Sequence, residues 1–308
     1  TVTSENFLKE LQREVESGQD KKPGQNPKKI LSKLAPILME KLKSLDSRQK
    51  TELIANFKQH LDKKDIMLYF NDWQMQDFFE SAGIAGNVFQ LPEDFSGDYL
   101  AIVNANIAGG KTDAFIDQHI SLKSSINSSG KITSELTITR KHRGENEKEW
   151  WYNVSNKNYL KALVPENSTL LSIKGNDRNI KIAGNNSKNL KTDLDLEAIE
   201  KTASAIDSLK AFLGWEFGKS SFGAWLTTPA GETKTVTVQY ENGVQLNIRD
   251  GMRYEFIFEK QSGVEGSLEY SVTAPPGYVW KETGKSIFEY GTQQIKAREI
   301  ITLTLVEI

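Results

Sequence analysis

The chain has 308 residues, with 39 lysines and arginines against 41 aspartates and glutamates, which gives a formal net charge of −2 at pH 7. Nucleic-acid-binding domains usually carry a basic excess, so this balance predicts no nucleic-acid partner. The absence of cysteine excludes disulfides, cysteine-ligated zinc and thiol catalysis. No apolar run is long enough to cross a bilayer, so no membrane span is predicted within these residues.

The first 97 residues have a helical period and are predicted to form a helical module. Apolar residues recur every three to four positions over residues 5–15, 30–45, 47–61 and 72–81. Residues 18–27 (GQDKKPGQNP) are predicted as a loop because they cluster helix breakers. Pro36 interrupts the second pattern and is expected to kink or restart that helix.

From residue 98 onward the apolar period changes to two, which is typical of β-strands. The predicted strands cover residues 99–103, 119–126, 131–140, 160–164, 169–174, 222–226, 233–240, 254–259, 267–273 and 299–308. A β-hairpin is predicted around Ser129-Gly130, and a helix is predicted near residues 195–213.

These elements predict an α+β fold in which the helical module is followed by one or two antiparallel immunoglobulin-like β-sandwiches with an inserted helix. The predicted domains are the helical module (1–97), a β-rich domain that contains the inserted helix (98–218), and a C-terminal β-sandwich (219–308).

The stretch VNANIAGGKTD, residues 103–113, ends like a phosphate-binding loop. That motif also requires a glycine five positions before Gly110 and a helix after the loop. The position of the required glycine holds Ala105, and the residues after Thr112 have a strand pattern where the motif requires a helix. We therefore predict a tight turn in which one of the two glycines has a positive φ, with Asn104 and Asn106 capping its backbone.

Few residues suggest catalysis or metal binding. The three histidines are His60, His119 and His142. They lack metal-ligand spacing and are expected at the surface or at interfaces, and no metal or cofactor is predicted. Asp94, Asp98 and Asp113 flank the first strand and the turn. A pair of them about 5–9 Å apart could serve glycoside hydrolysis, but solvated loop carboxylates are the favoured interpretation.

Trp150 and Trp151 follow the charged run RKHRGENEKE at residues 140–149, which is predicted to be a solvated hairpin tip. In a strand, one of the two tryptophans would face the core and the other would face solvent. An exposed indole could bind a sugar or a protein partner. Packing beneath the neighbouring module is the alternative.

Five segments, taken in order, resemble one family. They are NPKKILSKLAPILMEKL, KDIMLYFNDWQMQDFFESAGIAG, DYLAIVNANIAGGKTDAFIDQHI, FGAWLTTPAGETKTVTVQY and YEFIFEKQSG. Together they resemble the C-terminal part of the bacterial domain-of-unknown-function family numbered four thousand and twelve, over nearly the whole chain. The resemblance implies an extracytoplasmic, membrane-anchored protein and an upstream half, absent here, that looks like cell-envelope glycopolymer transferases. It implies no established activity.

We therefore expect a non-enzymatic binding or scaffolding region of a bacterial envelope protein, with envelope polysaccharide or the upstream domain as partner. The alternative is part of an enzyme that acts on envelope glycopolymer or its lipid-linked precursor. The candidate binding residues are Asn104, Asn106, Lys111, Asp113, Trp150 and Trp151. A purely structural role of the turn, which would lock the helical module onto the sandwich, also remains open.

Overall fold

The fold is α+β and consists mostly of strands, as the computed structural model of residues 3–18, 29–177 and 191–308 describes it. Two compact units divide the chain, residues 1–59 and residues 60–308. Of the predicted loop at residues 18–27, only Gly18 lies within the described residues.

Helices occupy each of the four stretches that have helical periodicity. They are α1 (Phe7–Ser17), α2 (Lys29–Lys43), α3 (Ser47–Asp62) and α4 (Trp73–Ser81). Asp72 caps α4 because its carboxylate accepts a hydrogen bond from the backbone N–H of Met75. Helix α2 continues through Pro36, so the helix does not restart there. A single helical module over residues 1–97 is not confirmed, since α4 belongs to the unit of residues 60–308.

The strands form two sheets that pack face to face. In chain order they are β1 (Gly97–Asn106), β2 (Ile116–Ile126), β3 (Lys131–His142), β4 (Asn156–Pro165), β5 (Thr169–Lys174), β6 (Ser204–Ile206), β7 (Ala211–Glu216), β8 (Lys219–Thr228), β9 (Thr233–Gln245), β10 (Arg253–Glu259), β11 (Gly266–Thr273), β12 (Tyr278–Trp280), β13 (Ile287–Thr292) and β14 (Arg298–Glu307). Sheet A has the order β12-β14-β10-β1-β4-β8-β7-β6, and sheet B has the order β13-β11-β2-β3-β9-β5.

Strand β3 shows how the sequence builds the sandwich. Its even-numbered residues, from Ile132 to His142, are all buried, whereas its odd-numbered residues are partly or fully exposed. Successive side chains of a strand point to opposite faces, so one face of β3 packs against sheet A and the other faces outward. Inward residues of both sheets form one large hydrophobic core, which includes Leu100, Leu136 and Trp280.

Both sheets are mixed, which corrects the expectation of antiparallel sheets. Strand β1 pairs in parallel with β10, and β2 pairs in parallel with β11. Each sheet contains strands from before and after residue 218, so one pair of sheets spans both predicted β-domains. An immunoglobulin domain has about seven to nine antiparallel strands, and the immunoglobulin-like expectation is therefore not confirmed.

The helix predicted near residues 195–213 is shorter than expected. Helix α6 covers Leu194–Thr202, and the chain then forms β6 and β7. A two-residue turn connects β7 to β8, with positive φ at Phe217 (55°) and Gly218 (69°). Pairing of β7 with the long strand β8 thus overrides the helical period of the sequence.

The outer face of sheet A carries a second, smaller core. Its buried members are Tyr99, Ala101, Leu163 and Ile257, from strands β1, β4 and β10. Phe89, Leu91 and Phe95, from the segment that precedes β1, pack against it.

Candidate functional site

The turn that follows β1 is held against the short helix α5 (Trp150–Asn153). The N–H of Lys111 donates to the Trp151 carbonyl at 2.7 Å. Gly110 has a φ of +62°, as predicted for one of the two glycines, and a Cβ there would lie 2.5 Å from the Trp151 oxygen. Asn106 caps the turn, because its amide donates to the Gly109 carbonyl. A short 3₁₀ helix (Thr112–Phe115) leads directly into β2, so the turn does not open a phosphate-binding helix.

Asn104 has a different place from the predicted cap. Its side-chain oxygen accepts hydrogen bonds from Arg140 Nη1 at 2.5 Å and from the Asn158 amide at 2.9 Å. Its backbone N–H donates to the side-chain oxygen of Gln261 at 2.8 Å. Asn104 therefore lies inside the sandwich as part of a polar network around Arg140.

Arg140 is the centre of this network and is only 2% exposed. Besides Asn104, its guanidinium donates to Gln118 Oε1 at 2.8 Å and to Asn156 Oδ1 at 3.3 Å. The Asp113 carboxylate lies 3.6 Å from Arg140 Nη2 and also accepts from the Asn156 amide at 2.8 Å. These contacts join β1 and β4 of sheet A to β2 and β3 of sheet B.

Burial lowers the pKa of Arg140 to about 10, and the nearby Asp113 carboxylate opposes that shift. The guanidinium remains charged at neutral pH, and its hydrogen-bond partners are side-chain amide oxygens. Within the described residues, Arg140 Nε and Asn158 Oδ1 have no hydrogen-bond partner. The network is a buried anchor that connects the two sheets.

Three of the predicted site residues lie at the surface above this anchor. Lys111 is exposed, Asp113 has 59% of its side chain exposed, and Trp150 is 61% exposed. Trp151 is 3% exposed and meets the Trp150 ring edge-on, with the ring centroids 5.9 Å apart. One tryptophan does face out and the other in, but helix α5 produces this arrangement and the predicted strand was wrong.

The charged run at residues 140–149 is only partly a solvated tip. Residues 143–149 are largely exposed, but Arg140 and His142 are buried. His142 bonds through Nε2 to the Val154 carbonyl at 3.0 Å and accepts the Gly144 N–H at its Nδ1. His60 and His119 lie nearer the surface, beside Asp65 and Ser267 respectively. The expectation of a surface or interface position was thus wrong for His142.

Asp98 is fully buried, which corrects its interpretation as a solvated loop acid. Its carboxylate accepts from the Ser124 and Ser134 hydroxyls at 3.1 and 3.0 Å, from the Asn242 amide at 2.8 Å and from the Tyr99 N–H at 2.9 Å. Burial raises the pKa of Asp98 to about 6, and these four donors only partly offset that rise.

Asp98 and Asp113 cannot act as a catalytic pair. Asp98 bonds to Ser124 of β2. Asp113 lies beside Arg140, which bonds to Gln118, and Gln118 precedes Ser124 by six residues in the same strand. Six residues of a strand span ~20 Å, whereas paired glycosidase carboxylates lie about 5–9 Å apart. Among the described residues, no group of three or more histidine, aspartate or glutamate side chains could hold a metal ion.

Asp94 lines a separate open cleft of about 590 Å³. The charged side chains along it are Glu93, Asp94, Arg249, Arg253 and Glu255. Arg253 and Glu255 pair across this surface at 2.7 Å. The cleft is polar and solvent-filled, and it lies at the end of the sandwich where β1 and β10 begin.

Sequence reasoning missed Arg140, Gln118, Asn156 and Asn158. The burial of Arg140 could have been predicted, because Arg140 follows Ile138 on the even-numbered, inward face of β3. Asn156 and Asn158 likewise continue the inward face of β4, which contains Leu160 and Ala162. A polar residue in phase with a buried apolar stripe was the available clue.

Comparisons with known proteins identify no family for this chain. No protein-family model and no curated protein matches the chain. Among solved structures, it is similar to a candidate nutrient-binding protein from Legionella pneumophila, with 10% identity, a TM-score of 0.36, and coverage of 69% of this chain and 72% of that one.

It is also similar to M1 zinc metallopeptidases. One is a two-domain enzyme bound to L-tryptophan, with 10% identity, a TM-score of 0.30, and coverage of 61% of this chain and 43% of the enzyme. Another, from Deinococcus radiodurans and bound to a Tyr-Ser-Ala substrate, has 12% identity, a TM-score of 0.27, and coverage of 62% and 39%. The chain thus spans less than half the length of these peptidases, and neither comparison carries a functional argument. Within the described residues, no helix has both the length and the apolar character to cross a bilayer.

Proposed function

We propose that this chain is the extracytoplasmic binding or scaffolding region of a membrane-anchored bacterial envelope protein, with envelope polysaccharide as its ligand. The contact surface is the group of Lys111, Asp113 and Trp150, which we call the indole surface. The family resemblance supports the envelope location, and the two packed sheets with one large hydrophobic core support a role as a carrier of binding residues.

The exposed indole of Trp150 is the observation that carries this proposal. A large aromatic side chain left in water at 61% exposure has apolar area available for a partner. Trp151 anchors it from below, since that residue is buried and its carbonyl is bonded to the turn. A pyranose ring has an apolar face that stacks on an aromatic ring, while its hydroxyls need hydrogen-bond partners.

Asp113 provides such a partner on the same surface. Its carboxylate is 59% exposed but is held in place by the Asn156 amide and by Arg140. A preorganised acceptor beside a preorganised indole reduces the entropy that a ligand loses on binding.

A polysaccharide array probed with the 308-residue chain tests the proposal. Covering an indole contributes roughly 1.5–3 kcal/mol, so Trp150→Ala should weaken binding by a factor of about 10–100. Trp73→Ala is the matched control, because Trp73 is 73% exposed and lies on helix α4. Loss of binding in the Trp150 variant alone supports the indole surface.

Two results would contradict the proposal. The first is a failure of every envelope polysaccharide to bind at high concentration. The second is equal binding by the Trp150→Ala variant and the unaltered chain. Association of the chain with a separately expressed upstream half, in the absence of any glycan binding, would instead favour a scaffolding role alone.

A further inference from the structure

An apolar slot of about 240 Å³ lies on the outer face of sheet A, within residues 60–308. Its floor consists of Ala101, Val103 and Leu163, which are outward-facing residues of β1 and β4. Met67 and Val88 form its wall. No predicted site residue lines it, so it is independent of the indole surface.

The slot exists because the segment before β1 covers only part of the small outer core. Phe89 and Leu91 pack on that core, and the slot lies beside them over Ala101. Gly86 makes the wall possible, since its φ is +80° and a Cβ there would lie 2.4 Å from the Met67 sulfur. The small side chain of Ala101 leaves the floor open, and a larger residue at that position would fill the space.

Buried charges hold the wall in place. Glu259 accepts hydrogen bonds from the Tyr99 hydroxyl at 2.6 Å and from the Phe89 N–H at 3.0 Å. Lys219 donates to the Phe89 carbonyl at 2.9 Å, and Lys260 donates to the Lys63 carbonyl at 2.9 Å. Burying Glu259, Lys219 and Lys260 is costly, so their use at this segment indicates a rigid, preformed wall.

The mouth of the slot is cationic. The charged lining residues are Lys64, Lys260 and Glu259, and Glu259 is already occupied by Arg298 at 3.2 Å, besides Tyr99 and the Phe89 N–H. The Lys64 ammonium lies 3.4 Å from Glu259, and 14% of its side chain is exposed. Lys260 is paired with Asp65 at 3.5 Å. The cations Lys64, Lys260 and Arg298 thus exceed the carboxylates Glu259 and Asp65 by one charge, which favours a ligand with a negative head group.

We propose that this slot binds the acyl chain of an amphiphile that has an anionic head group, a carboxylate or a phosphate. The chain lies over Ala101, Val103 and Leu163, and the head group lies beside Lys64. The small apolar volume suits a single acyl chain, and the lysines beside it fix the orientation of that chain.

Calorimetric titration of the 308-residue chain with monomeric saturated fatty acids, from hexanoate to dodecanoate, tests the proposal. Each added methylene should strengthen binding about fourfold, and the gain should stop once the slot is full. Decanol should bind at least tenfold more weakly than decanoate, and Lys64→Met should abolish that difference. Decyl phosphate distinguishes the two head groups, because tighter binding than decanoate assigns the slot to phosphate-bearing lipids.

Filling the slot should block binding. Ala101→Leu should weaken decanoate binding more than tenfold, whereas Ala205→Leu, at an exposed alanine on β6, should not. Val103→Phe is the second filling variant and guards against misfolding at Ala101, with thermal unfolding as the check. The proposal is overturned if decanoate does not bind at millimolar concentration, if affinity is independent of chain length, or if folded filling variants bind as the unaltered chain does.

Discussion

Replacing Asp98 with asparagine should change how the stability of the β-sandwich depends on pH. The folded chain holds Asp98 with a pKa of about 6, above the ordinary value of 3.8. The folded state therefore binds this proton more tightly than the unfolded state does. Protonated Asp98 is fully stabilising below pH ~4, and its contribution is lost as the pH rises through about 6.

The size of this effect follows from the shift. A difference of about two pKa units corresponds to ~3 kcal/mol at neutral pH. Asparagine has the same shape and no charge. Its Oδ1 can keep the donors Tyr99 N–H and Asn242, while its amide can donate to the hydroxyls of Ser124 and Ser134. We therefore expect equal stabilities at pH 4 and a variant that is up to ~3 kcal/mol more stable at pH 7.

Urea unfolding followed by tryptophan fluorescence measures this difference selectively. All six tryptophans lie at residue 73 or later, so the signal reports on residues 60–308. Other carboxylates contribute their own pH dependence, and the informative quantity is the difference between variant and unaltered chain at each pH. Asp94→Asn, at an exposed neighbouring position, controls for the loss of a surface charge. A difference that stays constant between pH 4 and 7 would refute the buried, raised-pKa description of Asp98.

Further substitutions test the other contacts by the same unfolding assay. Arg140→Ala should lower the free energy of unfolding by about 3–5 kcal/mol, because three amide oxygens lose a donor. Arg140→Lys should have a stability between those of Arg140→Ala and the unaltered chain. A loss below about 1 kcal/mol for Arg140→Ala would contradict the role of Arg140 as an anchor. Gly110→Ala should lower the stability by about 2–3 kcal/mol, against about 1 kcal/mol for Gly251→Ala. Both glycines have a positive φ, but only a Cβ at residue 110 would meet a carbonyl oxygen. Equal losses would show that the contact with the Trp151 carbonyl does not matter. Tyr99→Phe removes a hydrogen bond to the charged Glu259 and should cost about 1.5–3 kcal/mol, whereas Tyr69→Phe, at an exposed tyrosine, should change stability by less than about 0.5 kcal/mol.

Local periodicity predicted the strands and helices well where one face is uniformly apolar. Strand β3 alternates over its whole length, and Ser129-Gly130 forms the predicted hairpin turn, with Gly130 at a φ of +82°. The parallel pairs were not predictable in this way. Strand β1 pairs with β10, about 150 residues later, and no turn chemistry between them records that pairing.

The sequence pattern did not reveal the buried residues beneath the candidate site. The sequence predicted a tight turn at residues 103–113, but it did not identify Arg140 as the cation beside Asp113. Arg140 opens a charged run, which usually indicates solvent, and only the phase of β3 indicates burial. The slot at Ala101 could not be predicted, because it depends on how residues 64–88 pack on strands β1 and β4. Local periodicity carries no information about that packing.

Asp98 and Arg140, two buried charges between the sheets, explain why amides and hydroxyls line that part of the interior. Asp98 and Arg140 have opposite signs but lie ~20 Å apart, as the spacing of their partners on β2 indicates. At an effective dielectric constant of 20, their attraction is only ~0.8 kcal/mol, far less than the ~3 kcal/mol by which burial destabilises the Asp98 carboxylate. Neither charge can therefore compensate the other. Neutral dipoles solvate Asp98, whereas Arg140 has amide partners and the nearby Asp113 carboxylate. Those dipoles come from both sheets at each end, so the solvation of the charges also fixes how sheet A lies on sheet B.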